Sequence, residues 1–321
     1  MEPIILPRIS DQKPLVTVIS ITYNHEPYIR DCLEGFLMQK TNFPLEVIIH
    51  DDASTDHTSD IIREYYEKRP DLFHVIIERE NQYSQGKSVS IPLYEMAQGK
   101  YIALCEGDDY WTDPLKLQKQ FDFIETHPDC SLCFHAIDEI SDDYKTSNHL
   151  RVKYGKNKPQ DIFPTWRIPT CSTLMKKECT VEYLKIRKRY KGFYCGDIVL
   201  FLSATRIGYL YGLKDKMAVY RRHSTGATVQ TIGKLSLYRQ FAHLNAVKKA
   251  FPELKDNANF YNLYTVYVML KRHNYKSKYE KRRLLSLLRK NKIKYHIQAV
   301  IFYLKSIVEL KRYKKEKKRG R

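Results

Sequence analysis

A short acidic turn, EGDD at residues 106–109, is the part of the sequence best suited to chemistry. It directly follows the apolar run YIALC, which predicts a buried strand of a parallel sheet. Open α/β sheets bind ligands at the carboxyl ends of such strands. Asp108 and Asp109 repel each other unless a positive charge lies between them, and a hard divalent cation is the simplest such charge. The alternative is a loop with two solvated aspartates that leads into a helix near Asp113.

Four strand–loop–helix units fill the first 125 residues and would position this turn. The predicted strands cover residues 15–23, 45–50, 73–78 and 101–105, and predicted helices include residues 28–40 and 89–98. Residues 24–27 predict a turn, residues 130–140 one more strand, and residues 142–163 a polar loop. This alternation predicts an α/β fold with a doubly wound, mostly parallel sheet and helices on both faces. The polar loops then share one edge of the sheet. Gly-x-Gly-x-x-Gly is absent and Gly86-Lys87-Ser88 matches only the end of a P-loop, so we exclude ordinary dinucleotide and P-loop sites.

The chain has 321 residues, 43% of them hydrophobic, which is enough for one large α/β domain with an appendage. Its seven cysteines lack the spacing of a disulfide framework, so we expect reduced thiols in a cytoplasmic protein. Cys130 and Cys133 form a Cys-x-x-Cys, but the second pair of a zinc site is missing. The amino terminus does not resemble a signal peptide, and no window of 18 apolar residues is present.

The net charge of +18 is concentrated at one end of the chain. Residues 234–321 hold 25 Lys and Arg against 5 Asp and Glu, whereas residues 1–233 are almost neutral. We therefore predict a catalytic domain over residues 1–233 and a basic helical region over residues 234–321. Such a region suits an anionic membrane surface, an acidic polymer or nucleic acid. Nucleic acid is not expected, because the acidic loops repel phosphate and no RNA-binding or zinc-finger signature is present.

Three segments in succession resemble the signatures of family-2 glycosyltransferases with the GT-A fold: ISITYNHEPYI, IIHDDASTDHT and GKYIALCEGDDYWTDPLKL. The usual forms are a strand ending in Thr-Tyr-Asn, an Asp-Asp-Gly-Ser-Thr-Asp loop and an Asp-x-Asp-type metal motif. The resemblance covers roughly residues 14–225 and includes residues 169–175, which resemble the acceptor-side strand of the family. It departs at Ala53, which replaces the usual glycine, at His57, and at the metal motif itself. It implies an inverting enzyme of the kind that builds bacterial cell-surface glycans.

The resemblance also implies a nucleotide-sugar donor, a UDP-sugar above others, whose diphosphate is bridged by Mg²⁺ or Mn²⁺. Glu106, Asp108 and Asp109 are each candidates for the principal metal ligand. We favour Asp109 on the metal and Asp108 on the metal or the ribose. Arg221 and His223 lie in RRHSTG, which resembles the Tyr-Arg-x-His-x-x-Gly segment of the family and suits binding of diphosphate or metal.

The nucleotide pocket is expected where the first strands end. Asp51 and Asp52 are suited to accept hydrogen bonds from a base imide or from ribose hydroxyls. Tyr23 can stack on a base; the alternative is a core tyrosine at the end of a strand. Lys87 can reach a phosphate, and a solvated loop lysine is an equally good interpretation.

Asp197 is the predicted catalytic base, because Gly196-Asp197 precedes an apolar helix in the order that the family shows. A plain helix cap is the alternative. Inversion requires one carboxylate that takes a proton from the acceptor hydroxyl. The metal aspartates lie on the leaving-group side, so Asp142, Asp143 and Asp161 are the reserve candidates. The predicted acceptor is a cell-surface glycan or a glycolipid, with contact to the inner face of the membrane as a further option.

Two other functions are compatible with parts of the sequence. A magnesium-dependent nucleotidyltransferase acting on sugar phosphates would also use an α/β sheet with paired aspartates, and it would release pyrophosphate. A polyanion-binding protein would explain the basic tail and leave the acidic loops without a role.

Overall fold

A computed structural model describes residues 2–141, 153–163, 168–224, 226, 237–271, 282, 285 and 286. Its contacts divide the chain into two compact units. The first comprises Met1–Arg189 with Gly196–Lys234, and the second comprises Tyr190–Cys195 with Leu235–Arg321. The assignment of catalysis to residues 1–233 stays a prediction.

Within the described residues, the first unit is built on one mixed sheet of ten strands. The strands are β1 (Ile4–Leu6), β2 (Val16–Thr22), β3 (Leu45–Asp51), β4 (Phe73–Ile77), β5 (Tyr101–Leu104), β6 (Tyr110–Trp111), β7 (Cys130–Ser141), β8 (Gly155–Asn157), β9 (Leu174–Lys176) and β10 (Tyr209–Arg222). Their order is β1-β4-β3-β2-β5-β9-β7-β10-β6, with β8 paired to β10. The strands β4, β3, β2 and β5 are parallel neighbours, which confirms the predicted α/β fold with a largely parallel centre.

Helices connect and flank the strands. In the first unit they are α1 (Ile29–Leu37), α2 (Thr58–Lys68), α3 (Ser90–Met96), α4 (Lys116–Thr126), α5 (Pro159–Ile162), α6 (Lys177–Arg189) and α7 (Gly196–Ala204). The apolar residues of α1 recur at helical spacing and are buried, which explains why this segment is a helix on the sheet. The second unit contains α8 (Leu237–Ala250) and α9 (Lys255–Lys271). Among the residues that the structure describes, none of the helices has both the length and the apolar character needed to span a bilayer.

The register of the parallel strands brings three polar loops to one edge. Thr22 pairs with Asp51 across β2 and β3, and Ile19 pairs with Leu104 across β2 and β5. The residues that follow β2, β3 and β5 therefore emerge side by side. This is the carboxyl edge at which the sequence predicted the site.

Of the short antiparallel strands, β1, β6 and β8 were not predicted, whereas β9 overlaps the strand expected over residues 169–175. β1, β6, β8 and β9 have two or three residues each, too few to show an alternating pattern. Residues 155–157 lie in a segment predicted as a polar loop, yet they pair with β10; residues 142–152 lie outside the described part of the chain. Cys130 and Cys133 are free thiols buried on β7.

Candidate active site

The acidic turn is held against the end of β2 by backbone hydrogen bonds. The backbone N of Cys105 donates to the carbonyl O of Ile19 at 3.1 Å, and that of Gly107 donates to Ile21 at 3.0 Å. A Cβ at residue 107 would lie 2.7 Å from Oγ1 of Thr22, which is too close for any residue other than glycine. Gly107 therefore lets the two acidic residues that follow it lie close to β2.

Asp108 lies beside two histidines from different loops. Nε2 of His223, after β10, lies 2.9 Å from Oδ2 of Asp108, and Nε2 of His25, after β2, lies 3.8 Å from the same oxygen. His223 is only 4% exposed, and its ring centroid lies 4.7 Å from that of Tyr28. Ligand atoms of the three residues all lie within 4.8 Å of one another. The structure thus brings together one oxygen and two nitrogens that can hold a metal ion.

The two histidines determine the charge of the Asp108 carboxyl. Burial acts to raise the pKa of Asp108, but the hydrogen bond to His223 and the nearby His25 outweigh burial and lower it. Burial lowers the pKa of the His25 imidazole. An ionised carboxylate beside a neutral imidazole is the protonation state that metal ligands require.

Asp109, predicted as the principal metal ligand, has a different partner. Its Oδ1 accepts a hydrogen bond from the backbone N of Arg221 at 2.9 Å, and it is 1% exposed. Burial, followed by the charges of Asp108 and Glu106, raises the pKa of Asp109 well above its usual value. Asp109 is not one of the three residues of the candidate metal cluster. The prediction that Asp109 is the principal metal ligand stays untested, and the geometry favours Asp108 in that role.

Arg221, predicted to bind the donor, connects the acidic turn to α1. Its Nη1 donates to the carbonyl O of Asp108 at 3.0 Å, and its Nη2 pairs with Asp31. The guanidinium carbon lies 4.3 Å from the centroid of the Tyr110 ring. With 11% of its side chain exposed, Arg221 braces the turn. A contact between Arg221 and a diphosphate stays a prediction.

Glu106, the first acidic residue of the turn, has a partner on another element. Its Oε2 accepts a hydrogen bond from Oγ1 of Thr170 at 2.7 Å. Thr170 begins the 3₁₀ helix Thr170–Ser172, which we call the threonine turn. Burial raises the pKa of Glu106 to about 7, and the charges of Asp108 and Asp197 act in the same direction, against the hydrogen bond from Thr170. The charges of both Asp108 and Asp197 therefore act on the Glu106 carboxyl.

Asp51 at the end of β3 and Asp52 directly after it accept hydrogen bonds from loop residues. Asp52 accepts hydrogen bonds from the backbone N of Gln82 at 2.7 Å and of Tyr83 at 3.1 Å. Asp51 accepts from the backbone N of Ser54 at 3.1 Å and from its hydroxyl. Both carboxyls are buried, and burial raises the pKa of Asp51. Contacts of these carboxyls with a base or ribose stay predictions.

The loops after β2 and β3 form one hydrogen-bonded unit. The backbone N of Asn24 donates to Oγ of Ser54 at 2.9 Å, and that of Thr55 donates to Oδ1 of Asn24 at 2.8 Å. Asn24 and Ala53 have positive φ angles of 54° and 62°. Asparagine tolerates this conformation, whereas it is strained for alanine. This paired geometry sets the position of His25, the residue after Asn24.

The remaining predicted residues that the structure describes belong to the first unit. Tyr23 follows β2 and is 43% exposed. Lys87 is exposed, and its Nζ donates to Oε1 of Gln82 at 2.7 Å. Asp197 is half-buried in the first turn of α7, and its charge acts on the buried Tyr94. The reserve candidate Asp161 pairs with Lys153, while residues 142 and 143 lie outside the described part of the chain.

Sequence reasoning missed two residues of this site. His25 was assigned to a turn, although its position directly after a central strand was a usable signal. Thr170 was assigned to a strand on the acceptor side. No sequence signal marks it, because its contact with Glu106 spans 64 positions.

Comparison with known proteins gives a family match for the chain. The family model "Glycosyl transferase family 2" matches residues 17–182, more than half of the chain. An uncharacterized protein of Mycobacterium tuberculosis (strain ATCC 25618 / H37Rv) is 38% identical over 215 residues, which are 66% of this chain and 60% of that protein. The chain thus spans less than two thirds of this relative.

Two further proteins support the assignment. The putative teichuronic acid biosynthesis glycosyltransferase TuaG of Bacillus subtilis (strain 168) is 31% identical over 213 residues, 65% of this chain and 79% of TuaG. The crystal structure of S. aureus TarS 1-349 in complex with UDP superposes with a TM-score of 0.56 at 18% identity, covering 88% of this chain and 77% of TarS. That likeness shows the shared GT-A fold. The chain belongs to glycosyl transferase family 2.

Proposed function

We propose that the chain is a metal-dependent, inverting glycosyltransferase that moves a sugar from a UDP-sugar to a hydroxyl of a cell-surface glycan or a lipid-linked acceptor. One observation carries the proposal most: Asp108, His223 and His25 meet at the carboxyl edge of the sheet. The family match supports the reaction class. The crystal structure of TarS in complex with UDP, on the same fold, supports a uridine nucleotide.

The residues present fit a divalent cation. Two imidazole nitrogens and one carboxylate oxygen converge on one position, and this mixed donor set suits Mn²⁺ better than Mg²⁺, which prefers oxygen ligands. Nδ1 of His25 is buried without a hydrogen-bond partner among the described residues, so no contact of that atom opposes a turn of the ring toward a cation. A bound cation neutralises the charge that develops on the leaving diphosphate. Asp108, His223 and His25 are the residues that would hold it.

Asp197 is the residue that we propose as the general base. Its carboxylate takes the proton of the acceptor hydroxyl while the acceptor oxygen attacks the sugar carbon on the face opposite the diphosphate, which inverts that carbon. The first turn of α7 favours the ionised form of the carboxylate. In this proposal the acidic turn lies on the side of the leaving diphosphate. Asp197 therefore acts on the acceptor hydroxyl, and the carboxylates of the turn act at the leaving group.

The loops after β2 and β3 form the proposed nucleotide pocket. Tyr23 presents an exposed ring for stacking on the base, and Asp51 and Asp52 lie next to it in the paired loops. Lys87 and Arg221 supply positive charge for the diphosphate. Replacing Tyr23 with alanine should weaken UDP binding by about 1–3 kcal/mol if the ring stacks on the base. Unchanged UDP affinity in calorimetry would remove Tyr23 from the pocket.

The acceptor proposal rests on the relatives and on the basic tail. TuaG is named for teichuronic acid biosynthesis, which is compatible with a glycan acceptor. The 25 Lys and Arg in residues 234–321 would attract an anionic membrane, with about 1 kcal/mol from each basic residue near the surface. Full-length protein should sediment with phosphatidylglycerol vesicles at low salt and be released as NaCl is raised. Equal binding to neutral and anionic vesicles would contradict the membrane role.

Thermal stabilisation tests the donor class directly. UDP, GDP and dTDP should each be added with and without Mn²⁺, and the melting temperature recorded. We expect UDP to raise it most, and only in the presence of Mn²⁺, because ligands that bind the folded chain stabilise it. A larger shift with another nucleotide would replace uridine in the proposal, and equal shifts without Mn²⁺ would remove the metal.

A further inference from the structure

Three polar side chains that follow the acidic turn are fully or almost fully buried. They are Trp111 at the end of β6 and Lys116 and Gln120 on α4, and we call them the polar bracket. Nζ of Lys116 donates to Oε1 of Gln120 at 2.8 Å and lies 4.2 Å from the centroid of the Trp111 ring. In the described part of the chain, Lys116 takes part in no ion pair.

The polar bracket holds the threonine turn by its carbonyl groups. Nε1 of Trp111 donates to the carbonyl O of Cys171 at 2.8 Å. Nε2 of Gln120 donates to the carbonyl O of Ser172 at 2.9 Å and to that of Cys133 on β7 at 2.9 Å. Two successive carbonyl groups of the turn are therefore fixed by buried side chains, and the turn is tied to β7.

Lys116 determines which way the Gln120 amide faces. A glutamine amide has one acceptor and two N–H donors, and it can be reversed within the same space. Only with Oε1 toward the ammonium do both N–H groups face the two carbonyl groups that they bind. Without the ammonium, the reversed amide would leave the turn carbonyl without its donor.

The threonine turn is in its turn hydrogen-bonded to Glu106 of the acidic turn. Oγ1 of Thr170 donates to Oε2 of Glu106, and Glu106 interacts electrostatically with Asp108 and Asp197. A displacement of the turn would therefore move Glu106 relative to both halves of the site.

We propose that Trp111, Lys116 and Gln120 are positioning residues, which hold Glu106 for sugar transfer through the threonine turn. The inference rests on the proposed glycosyl transfer. Stability does not explain Lys116, because a buried ammonium with no ion pair destabilises a fold relative to an apolar chain of similar length. The role that we assign to Lys116 is to orient Gln120 and, through Gln120, the threonine turn.

The test compares Lys116→Met and Trp111→Phe with a matched control. Methionine keeps the length of the lysine stem, and phenylalanine keeps a ring without the indole donor. The control is Thr17→Val, which removes the buried hydrogen bond between Thr17 and Glu46 at the opposite end of β2. All three variants are compared by melting temperature, by amide hydrogen exchange, and by kcat and donor KM with UDP-sugars and Mn²⁺.

We expect the two bracket variants to speed exchange of the Ser172 and Thr173 amides, which donate to carbonyl groups within and just before the turn. We expect kcat to fall by about tenfold to a hundredfold while donor KM stays within about threefold, because misplacement affects the reacting geometry. Thr17→Val should lower the melting temperature without this fall in kcat.

Unchanged exchange at Ser172 and Thr173 in both bracket variants would overturn the inference. So would a fall in kcat that Thr17→Val reproduces at the same loss of melting temperature, since the effect would then be general destabilisation. If the wild-type chain transfers no sugar from any donor, the proposed glycosyl transfer fails. The exchange of the two amides then decides whether the polar bracket holds the turn.

Discussion

Nε2 of His223 lies 2.9 Å from Oδ2 of Asp108, although 115 positions separate the two residues in the chain. The contact joins the end of β10 to the turn after β5. It defines a cluster with His25 in which one carboxylate oxygen and two imidazole nitrogens, all possible ligands of a divalent cation, lie close together.

The metal cluster predicts that Asp108→Asn and Asp109→Asn will differ. Asp108→Asn removes an anionic ligand, so the affinity for Mn²⁺ in the presence of UDP should fall at least about tenfold. Asp109→Asn keeps an acceptor for the backbone N of Arg221 and should leave that affinity within about threefold. Isothermal titration calorimetry measures both. An equal loss in the two variants would establish Asp109 as a metal ligand as well.

The proposed general base predicts a selective loss of transfer in Asp197→Asn. The amide cannot accept the acceptor proton, so kcat should fall by roughly 10²–10⁴-fold while affinity for UDP stays near that of the wild type. Asp60→Asn is the matched control, because Asp60 also lies in the first turn of a helix, α2, and has no proposed role in transfer. A kcat in Asp197→Asn equal to that of the wild type would show that another carboxylate is the general base.

The buried Lys116 predicts a specific dependence of stability on pH. Burial lowers the pKa of Lys116 from 10.5 to about 8, so the unfolded chain binds its proton more tightly than the folded chain does. The charged lysine therefore destabilises the fold fully below about pH 8, and this effect is relieved as pH rises toward 10.5. The free energy of unfolding of the wild type minus that of Lys116→Met should therefore rise by about 1.4 kcal/mol per pH unit in this window.

Guanidinium chloride unfolding of the two proteins at several pH values between 8 and 10 measures this gain. A difference that does not change with pH would mean that Lys116 titrates normally in the folded chain. Lys116→Met also changes the hydrogen bonds of Gln120. This change does not depend on pH, so it shifts the free energy of unfolding equally at every pH.

The left-handed backbone at Ala53 predicts a stabilising substitution. Alanine is strained at φ 62°, whereas glycine adopts this conformation freely, so Ala53→Gly should raise the free energy of unfolding by about 0.5–1 kcal/mol. Gly86→Ala is the reverse control, because residue 86 has φ 77° and open space around it. It should destabilise by a similar amount. Loss of stability in Ala53→Gly, measured by denaturant unfolding, would show that the alanine methyl contributes more than its backbone strain.

Much of the parallel half of the fold was predictable from local sequence. The strands β2 to β5 are apolar or β-branched runs, and they begin and end within two residues of their predicted limits. The pairing of the shortest strands was not predictable, because β8 and β9 form through hydrogen bonds with strands far along the chain. Segments of three residues are too short to carry a periodic signal for such pairing.

The candidate site, like the fold, was only partly predictable, because local sequence does not show which distant residues come together. Asp108 and Asp109 stand out as a pair, but adjacency in sequence does not reveal that one faces His223 and the other the backbone of Arg221. His25 and Thr170 reach the site through the register of strands and through a 3₁₀ turn. Both depend on tertiary structure.

Product analysis of a donor reaction tests the central claim most directly. The wild-type chain should be incubated with UDP-, GDP- and dTDP-sugars and Mn²⁺, with and without EDTA, and the nucleotide products separated by chromatography. Our account predicts release of UDP from a UDP-sugar that EDTA abolishes and that Asp108→Asn reduces at least about tenfold. Release of pyrophosphate instead, or consumption of a donor that EDTA and Asp108→Asn leave unchanged, would contradict it.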